Sequence, residues 1–542
     1  MKNMLSTLSL PFGWSMNKLM LVFFNIFAGL VLIILSHNGV LPLDPVNFVF
    51  FSCVGFLFAL YRPGWAFLFL IGMLPYEIIS IAPESFGIAI RPYQWLLVLV
   101  ASALLVRLAL KRFPFHTFIP NFWDMSVVIF SISAFLSAFM SDHKTIAIKL
   151  SVILLSFVLL YFVTRIFVRS IDDARMLLPF LFSSFLVIAF YAIWQNLFFL
   201  SGRESFEVMA GRPNATFSEA DWLGGYLAMM ITMLIALIVS PSLISKYASI
   251  KETRLIASLM LFFGFVALII TVSRSAWLAT LAGTAAALII FSWQRGIFDA
   301  LRWQNRQVLK RASHVMFFIS IPFFLALFIV LAFNLSPFDL LDRSRSVASG
   351  QQKITIACEK EIALPEKIGS TGELAGFGCY HIRLEDITAE RSAGRYVTAI
   401  LRSDPNIEIR QNIYTKITLL IREHWLTGIG FGVVSQYLGA DERPASPTRQ
   451  GGGAELNASN LFLEVWLGAG LVGFLAFLFF WFGLGLRWLF IACKGNAPLA
   501  LVLGSMFVSI TVFNLFNSGL FLAWFFVFLA FLVLPVSETA YE

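Results

Sequence analysis

Apolar runs of membrane-crossing length follow one another from position 18 to 333, stop for one long polar stretch over 334–459, and resume at 460. They fall near 18–36, 46–60, 64–80, 92–109, 124–140, 147–164, 176–199, 222–240, 256–272, 275–292, 314–333, 460–486, 497–514 and 518–536. A spanning helix needs about 20 apolar residues, fewer when the bilayer thins around it. The pattern therefore predicts about 12–14 spans, the second and third parted only by Tyr61-Arg62-Pro63-Gly64. Short alternating segments of the kind a β-barrel requires are not seen, and helices satisfy their own backbone in lipid. The expected fold is an all-α polytopic membrane protein: a bundle of about 11 spans over 1–333, a polar segment over 334–459, and about three further spans over 460–542.

The polar segment divides in two. Over 344–387, the alternation in Lys353-Ile354-Thr355-Ile356-Ala357-Cys358 and the turn formers around Gly369 and Gly372 predict a small β-hairpin insertion. Cys358 and Cys379 lie in or beside its arms; outside the cytoplasm a disulfide between them persists, the alternative being two free thiols. Over 404–424 the period becomes helical: Asp404 and Pro405 supply an N-cap and an N1 proline, and Ile413, Ile417, Leu420 and Ile421 form one apolar stripe. Arg410 and Tyr414 stand i, i+4 beside that stripe, on a helix expected to lie along the bundle surface without crossing it. Gly428, Gly430 and Gly432 end it in what reads as a flexible turn; they follow a helix, where a phosphate-cradling loop follows a strand. Gly451-Gly452-Gly453 reads as a mobile tip.

Composition removes the soluble classes: 59% of residues are hydrophobic and 13% charged, against about a quarter charged in soluble domains, and the mean hydropathy is +0.83. The net charge of +8 resides mostly in short loops and so does not indicate nucleic acid. Basic residues occupy every second loop: Arg62; Arg107, Lys111 and Arg112; Arg165, Arg169 and Arg175; Lys246, Lys251 and Arg254; Arg295, Arg302, Arg306, Lys310 and Arg311; Arg487 and Lys494. By the positive-inside rule both termini are then cytoplasmic and the polar segment is outside. The first apolar run is too long for a signal-peptide core and reads as a retained span. No Cys-x-x-Cys metal pattern occurs.

Three arginines stand on the side where basic residues are scarce. Arg91 precedes the fourth span and reads as a side chain snorkelling to the interface. Arg212 lies in the loop between the seventh and eighth spans, and Arg274 in Thr271-Val272-Ser273-Arg274-Ser275-Ala276-Trp277, between two helix ends, where charge is costly and usually paired.

Over roughly 205–480 the sequence resembles the O-antigen ligase and O-antigen polymerase family of bacterial envelope glycosyltransferases. The resemblance rests on an ordered set: Arg212; Ser273-Arg274-Ser275-Ala276; Arg410; His424-Trp425-Leu426-Thr427-Gly428-Ile429-Gly430-Phe431-Gly432; and Asn460-Leu461-Phe462-Leu463-Glu464 opening a span. It implies transfer of a glycan, without a metal or other cofactor, from an undecaprenyl-diphosphate carrier to a glycan or lipid acceptor at the outer face of the bacterial inner membrane. Arg212, Arg274 and Arg410 match arginine positions of the family; the position of a ligase histidine is occupied by Ser459.

That chemistry needs cations for a leaving diphosphate, and the guanidinium fork fits phosphate oxygens while staying charged. Arg212, Arg274, Arg410 and Glu464 are the expected catalytic residues, with Ser459, Asn460, His424 and Tyr414 at the substrate. The acceptor hydroxyl needs a general base, for which Glu464, His424, Glu219 and Asp221 are the candidates. Ser459 and Asn460 read equally as a helix N-cap. Rival readings are a transporter or flippase of a lipid-linked glycan and a protein O-oligosaccharyltransferase; the span interiors are nearly free of the charges a transporter uses.

Overall fold

The computed structural model describes residues 16–112, 120–243, 249–294, 306–338, 340, 350–382, 386–403, 405–437, 458–495 and 497–535. The expected N-cap at Asp404, the tip at 451–453, the start of the insertion at 344–349 and the basic residues Lys246, Arg295 and Arg302 lie outside them. Among the described residues, eleven helices are long and apolar enough to cross a membrane, and three shorter apolar helices accompany them. The protein is a multi-pass helical membrane protein with one small sheet.

The helices of the first bundle are α1 (Met16–His37), α2 (Pro45–Tyr61), α3 (Pro63–Gly72), α4 (Pro92–Ala109), α5 (Phe122–Met140), α6 (Lys144–Phe167), α7 (Ile171–Leu200), α8 (Ala220–Val239), α9 (Ile250–Ile270), α10 (Arg274–Gln294) and α11 (Arg306–Ala332). After the polar segment come α13 (Leu461–Lys494), α14 (Pro498–Phe516) and α15 (Ala523–Leu532). Helix α8 is the centre: 94% of its spanning window is buried, as expected of a helix apolar on all sides. Helix α10 packs between α8 and α14, and α13 lies along α5.

Two helices are shorter than their apolar runs. Helix α3 ends at Gly72, since Pro75 cannot continue it, and the chain beyond pairs with the loop before α8: Ile78 N–H donates to Thr216 O (2.8 Å) and Thr216 Oγ1 to Pro75 O (2.6 Å). Helix α15 begins only at Ala523, because residues 517–522 are drawn into the contacts described below. Arg91 does not simply snorkel: its Nη1 meets Glu77 Oε2 at 3.0 Å, and Glu77 Oε1 accepts the Ala523 N–H at the start of α15.

The polar segment builds β1 (Gln351–Cys358), β2 (Lys367–Ile368), β3 (Cys379–His381) and β4 (Tyr396–Ser403), in sheet order β2-β4-β1-β3. The two arms of the expected hairpin are β1 and β3, paired antiparallel with Cys358 opposite Cys379; the two cysteines are bonded as a disulfide. The sheet exceeds the hairpin: β4, beyond the 387 boundary, pairs along the whole of β1 and adds Ile400 to a core of Ile354, Ile356, Ile368 and Leu374. Helix α12 (Pro405–Glu423) follows at once, and its helical period obscures the strand in front of it. Its stripe docks as expected: Ile413, Ile417 and Leu420 are buried against Ala138 of α5, Ala147 of α6, Val433 and Leu467.

The glycine-rich phrase after α12 is a structural wedge. Helix α13 is broken at Gly470, whose backbone adopts φ 66°, ψ −175°. In an unbroken helix Leu471 N–H would bond Leu467 O. Here Leu467 O accepts Ile429 N–H (2.7 Å) and Leu471 N–H donates to Leu426 O (3.1 Å). The turn thus satisfies both groups freed by the break, which irregular backbone within a membrane protein requires. Gly428, at φ 70°, allows the approach: a Cβ there would meet Gly470 N at 2.8 Å. The turn is therefore docked between helices and not the free flexible link its glycines predict.

Candidate functional site

Five helix ends meet where the polar segment joins the bundle: the starts of α8, α10 and α13 and the ends of α9 and α14. A continuous set of polar contacts joins them. Arg212, in the loop before α8 and 9% exposed, donates from Nε to Thr271 O at the end of α9 (3.0 Å) and from Nη2 to Asp221 Oδ1 in the first turn of α8 (3.1 Å). Asp221 Oδ1 also accepts from Ser273 Oγ (2.6 Å). Val272, between them, holds φ 54°, a conformation that costs a β-branched residue about 1–3 kcal/mol. That strained turn lets α9 end and α10 begin within three residues and aims Ser273 at Asp221.

Arg274 is the first residue of α10 and half-buried. A cation at the positive end of a helix is unfavourable, so helix stability does not account for its place. One residue on, Ser275 Oγ accepts from Asn517 Nδ2 (2.7 Å), and Asn517 O accepts from Leu461 N–H (3.1 Å). Asn517, just past α14, therefore ties the start of α10 to the start of α13.

Asn460 is the N-cap of α13: its Oδ1 accepts from Phe462 N (2.9 Å) and Leu463 N (3.2 Å), and its Nδ2 donates to Leu515 O (3.0 Å). Ser459 is not the cap. It holds the left-handed φ of 50°, and its carbonyl faces Tyr414 Oη at 3.5 Å. Arg410 Nη2 lies 3.5 Å from Phe516 O, over the negative end of α14, and among the described residues it forms no ion pair. Helix α12 thus carries Arg410 and Tyr414 onto the junction of α13 and α14.

Glu464, one turn into α13, is 4% exposed. Ser518 lies beside it and its hydroxyl bears on the Glu464 carboxyl, while Glu464 Oε2 and Ser518 Oγ have no partner of full hydrogen-bond geometry among the described residues. Buried polar atoms are rarely left so. Glu219, just before α8, is half-buried; burial, reinforced by Asp221 and opposed by Arg212, pushes its carboxyl up to about 7. In the same loop burial also pushes Glu207 up to about 7, against the Gly211 N–H that it accepts at 2.8 Å.

The structure thus brings Arg212, Arg274, Arg410, Tyr414, Ser459, Asn460 and Glu464 to one end of the bundle. His424 stands apart: it follows the far end of α12, and among the described residues no side-chain hydrogen bond links it to the others. Cys358 and Cys379 belong to the sheet. Asn517 and Ser518 escape sequence reasoning, and Ser275 enters it only within the phrase Ser273-Arg274-Ser275-Ala276, with no role of its own. The one signal for the first two is the polar run Asn517-Ser518-Gly519 between two apolar stretches, which reads simply as a span boundary. Among the described residues, no group of three or more His, Cys, Asp or Glu side chains is placed to hold a metal ion.

Fold and site together define a multi-pass helical membrane protein whose polar chemistry is gathered at the helix ends beneath one large polar segment. Residues 259–478, from α9 into α13, match the family model described as O-antigen ligase. The match takes in Arg274, Arg410, Ser459, Asn460 and Glu464 and leaves Arg212 before its start. No curated protein and no solved structure matches the chain. That match supports a glycan-processing membrane enzyme in general, one that acts on a lipid-linked glycan and an acceptor.

Proposed function

We propose that the protein transfers a glycan from undecaprenyl diphosphate to an acceptor hydroxyl at the outer face of the bacterial inner membrane, with both termini cytoplasmic and the polar segment periplasmic. The observation that carries this reading is the convergence of three arginines from distant parts of the chain on one set of helix ends. In the step, the acceptor oxygen bonds to the anomeric carbon as the bond from that carbon to the diphosphate breaks. The acceptor proton passes to a base, and the diphosphate departs with the electron pair. Charge grows on the diphosphate, so cations held in place beforehand bind the transition state more strongly than the ground state. Arg410, without a carboxylate partner among the described residues, and Arg274 receive the diphosphate. Arg212, held by Thr271 and Asp221 and with its Nη1 donating to Met209 Sδ (3.7 Å), fixes the geometry of that wall.

Glu219 is assigned as the base: it stands two residues before Asp221, the partner of Arg212, and its carboxyl, pushed up to about 7, is poised to accept a proton near neutral pH. Asp221 is already engaged by Arg212 and Ser273. Glu464 and Ser518 offer unsatisfied groups to a substrate hydroxyl, with Tyr414, Asn460 and the Ser459 carbonyl at the rim. His424 is assigned no step. Ser459, in place of the ligase histidine, favours polymerisation over ligation.

The test is reconstitution of the purified protein with a lipid-linked oligosaccharide. A ladder of products identifies a polymerase, a single addition to lipid A core a ligase, and a glycosylated polypeptide an oligosaccharyltransferase. Movement of the lipid-linked glycan across the bilayer with no new glycosidic bond would replace the proposal with a flippase.

A further inference from the structure

The disulfide-bonded sheet holds a feature the transfer reaction does not use. A cleft of about 270 Å3 opens along β4, lined there by Tyr396, Thr398 and Leu401, on its other side by Pro365 and Glu366, and by Lys353 of β1. Its origin is the brevity of β2. Only Lys367 and Ile368 pair with β4, opposite Leu401 and Arg402. The chain before β2 therefore runs beside β4 without pairing to it, and the β4 edge from Tyr396 to Ile400 faces the cleft. Beneath lies the packed core of Ile354, Ile356, Ile368, Leu374 and Ile400, braced by the disulfide. The depression thus has a fixed floor and is not a gap between loose segments.

The lining selects among ligands. Lys353 and Glu366 give it both signs of charge, so it is not built for an anion. Its volume approaches the roughly 300 Å3 at the lower end of small-ligand sites, where a few placed polar groups fix orientation. Tyr396, 36% exposed, presents a ring whose apolar face and polar tip suit a sugar. Hydroxyl, ammonium and carboxylate groups together offer the donors and acceptors that a polyol needs. An extended peptide would instead need to pair with the free edge of β4, across the cleft from the wall formed by Ile362, Leu364, Pro365 and Glu366.

We propose that this cleft is a saccharide-binding subsite, which holds an internal unit of a glycan whose end is processed at the helix ends; the inference rests on the transfer reading above. The test uses the full-length protein in lipid nanodiscs. The probe is the oligosaccharide released by mild acid from the lipid-linked donor of the transfer assay, with binding followed by saturation-transfer NMR and calorimetry. Wild type binds; Tyr396→Ala loses about fivefold or more in affinity, Glu366→Gln weakens binding as well, and Arg410→Ala leaves it unchanged. Both cleft substitutions are at exposed positions, and an unchanged elution profile checks folding. Wild-type binding that neither substitution weakens overturns the subsite, as does a wild type that transfers glycan yet binds no oligosaccharide. Binding lost in Tyr396→Ala by a protein that transfers nothing upholds the subsite and overturns the transfer reading. Displacement of the oligosaccharide by an extended peptide, with the peptide bound more tightly, overturns it in favour of strand pairing.

Discussion

Replacing Gly470 with alanine tests how the outer helix is locked to the bundle. At φ 66°, ψ −175° the residue occupies a region essentially closed to any side chain, at a strain of about 1–3 kcal/mol. Space is also lacking: the added Cβ would fall on Leu426 O and lie 2.7 Å from Thr427 C, both rigid backbone. Relief requires the 426–429 turn to withdraw. Two hydrogen bonds, Ile429 N–H to Leu467 O (2.7 Å) and Leu471 N–H to Leu426 O (3.1 Å), would then be lost. One helical bond, Leu471 to Leu467, would re-form in their place. With about 0.5–1.5 kcal/mol per net bond and the loss of buried contacts around Ile429, Gly470→Ala is expected to cost ~2–4 kcal/mol. The assay is the apparent melting temperature in detergent, read by size exclusion after heating, with an expected fall of roughly 2–4 °C. Hydrogen exchange at Ile429 and Leu471 should rise in parallel. Because α12 hangs from this turn and carries Arg410, glycan transfer should fall with it. Gly428→Ala strikes the same contact from the other side, so the double variant should lose much less than the sum of the singles. Unchanged melting together with unchanged protection in Gly470→Ala would refute the wedge.

Arg212→Lys keeps a charge but cannot reach Thr271 O and Asp221 Oδ1 at once; transfer should drop by roughly 10²-fold with little change in melting, and retained activity would remove Arg212 from the site. Glu219 gives a pH signature: transfer should rise as pH passes about 7, and Glu219→Gln should flatten that limb. The sign for stability is opposite. Between about 4.5, where the unfolded carboxyl releases its proton, and about 7, the folded protein binds more protons, so stability falls as pH rises through this window; Glu219→Gln removes the Glu219 share of that slope and leaves the share of Glu207. A pH–rate profile identical in the two proteins would dismiss Glu219 as the base. For the cysteines, alkylation before reduction should label Cys53 and Cys493 alone, and after reduction all four. Loss of the Cys358–Cys379 link should destabilise the sheet by roughly 3 kcal/mol.

Much of this molecule is local and therefore written in one dimension. Residues that must dissolve in lipid are apolar in runs whose length the bilayer sets, so most helix positions, down to the N-cap candidate at Asn460, follow from the sequence, the exceptions being α3 and α15, which stop short of their runs. The stripe Ile413, Ile417, Leu420 states which face of α12 is buried, and the alternation before Cys358 states that β1 is a strand, because periods of 3.6 and 2 are properties of the backbone. The arginines, too, could be singled out, since charge at a span end is costly enough to need a reason. Only the tertiary structure decided which helix ends share a corner. Asn517 joins α10 to α13, Arg410 reaches across to Phe516, and Arg212 spans α8 and α9, all over separations in sequence that no local period encodes. It also decided that Arg91 pairs with Glu77, that Ser459 is not the cap, and that the glycines at 428 and 470 exist for one another. A glycine in a sequence shows that a side chain is absent; what stands in its place belongs to another part of the chain, and packing alone brings the two together.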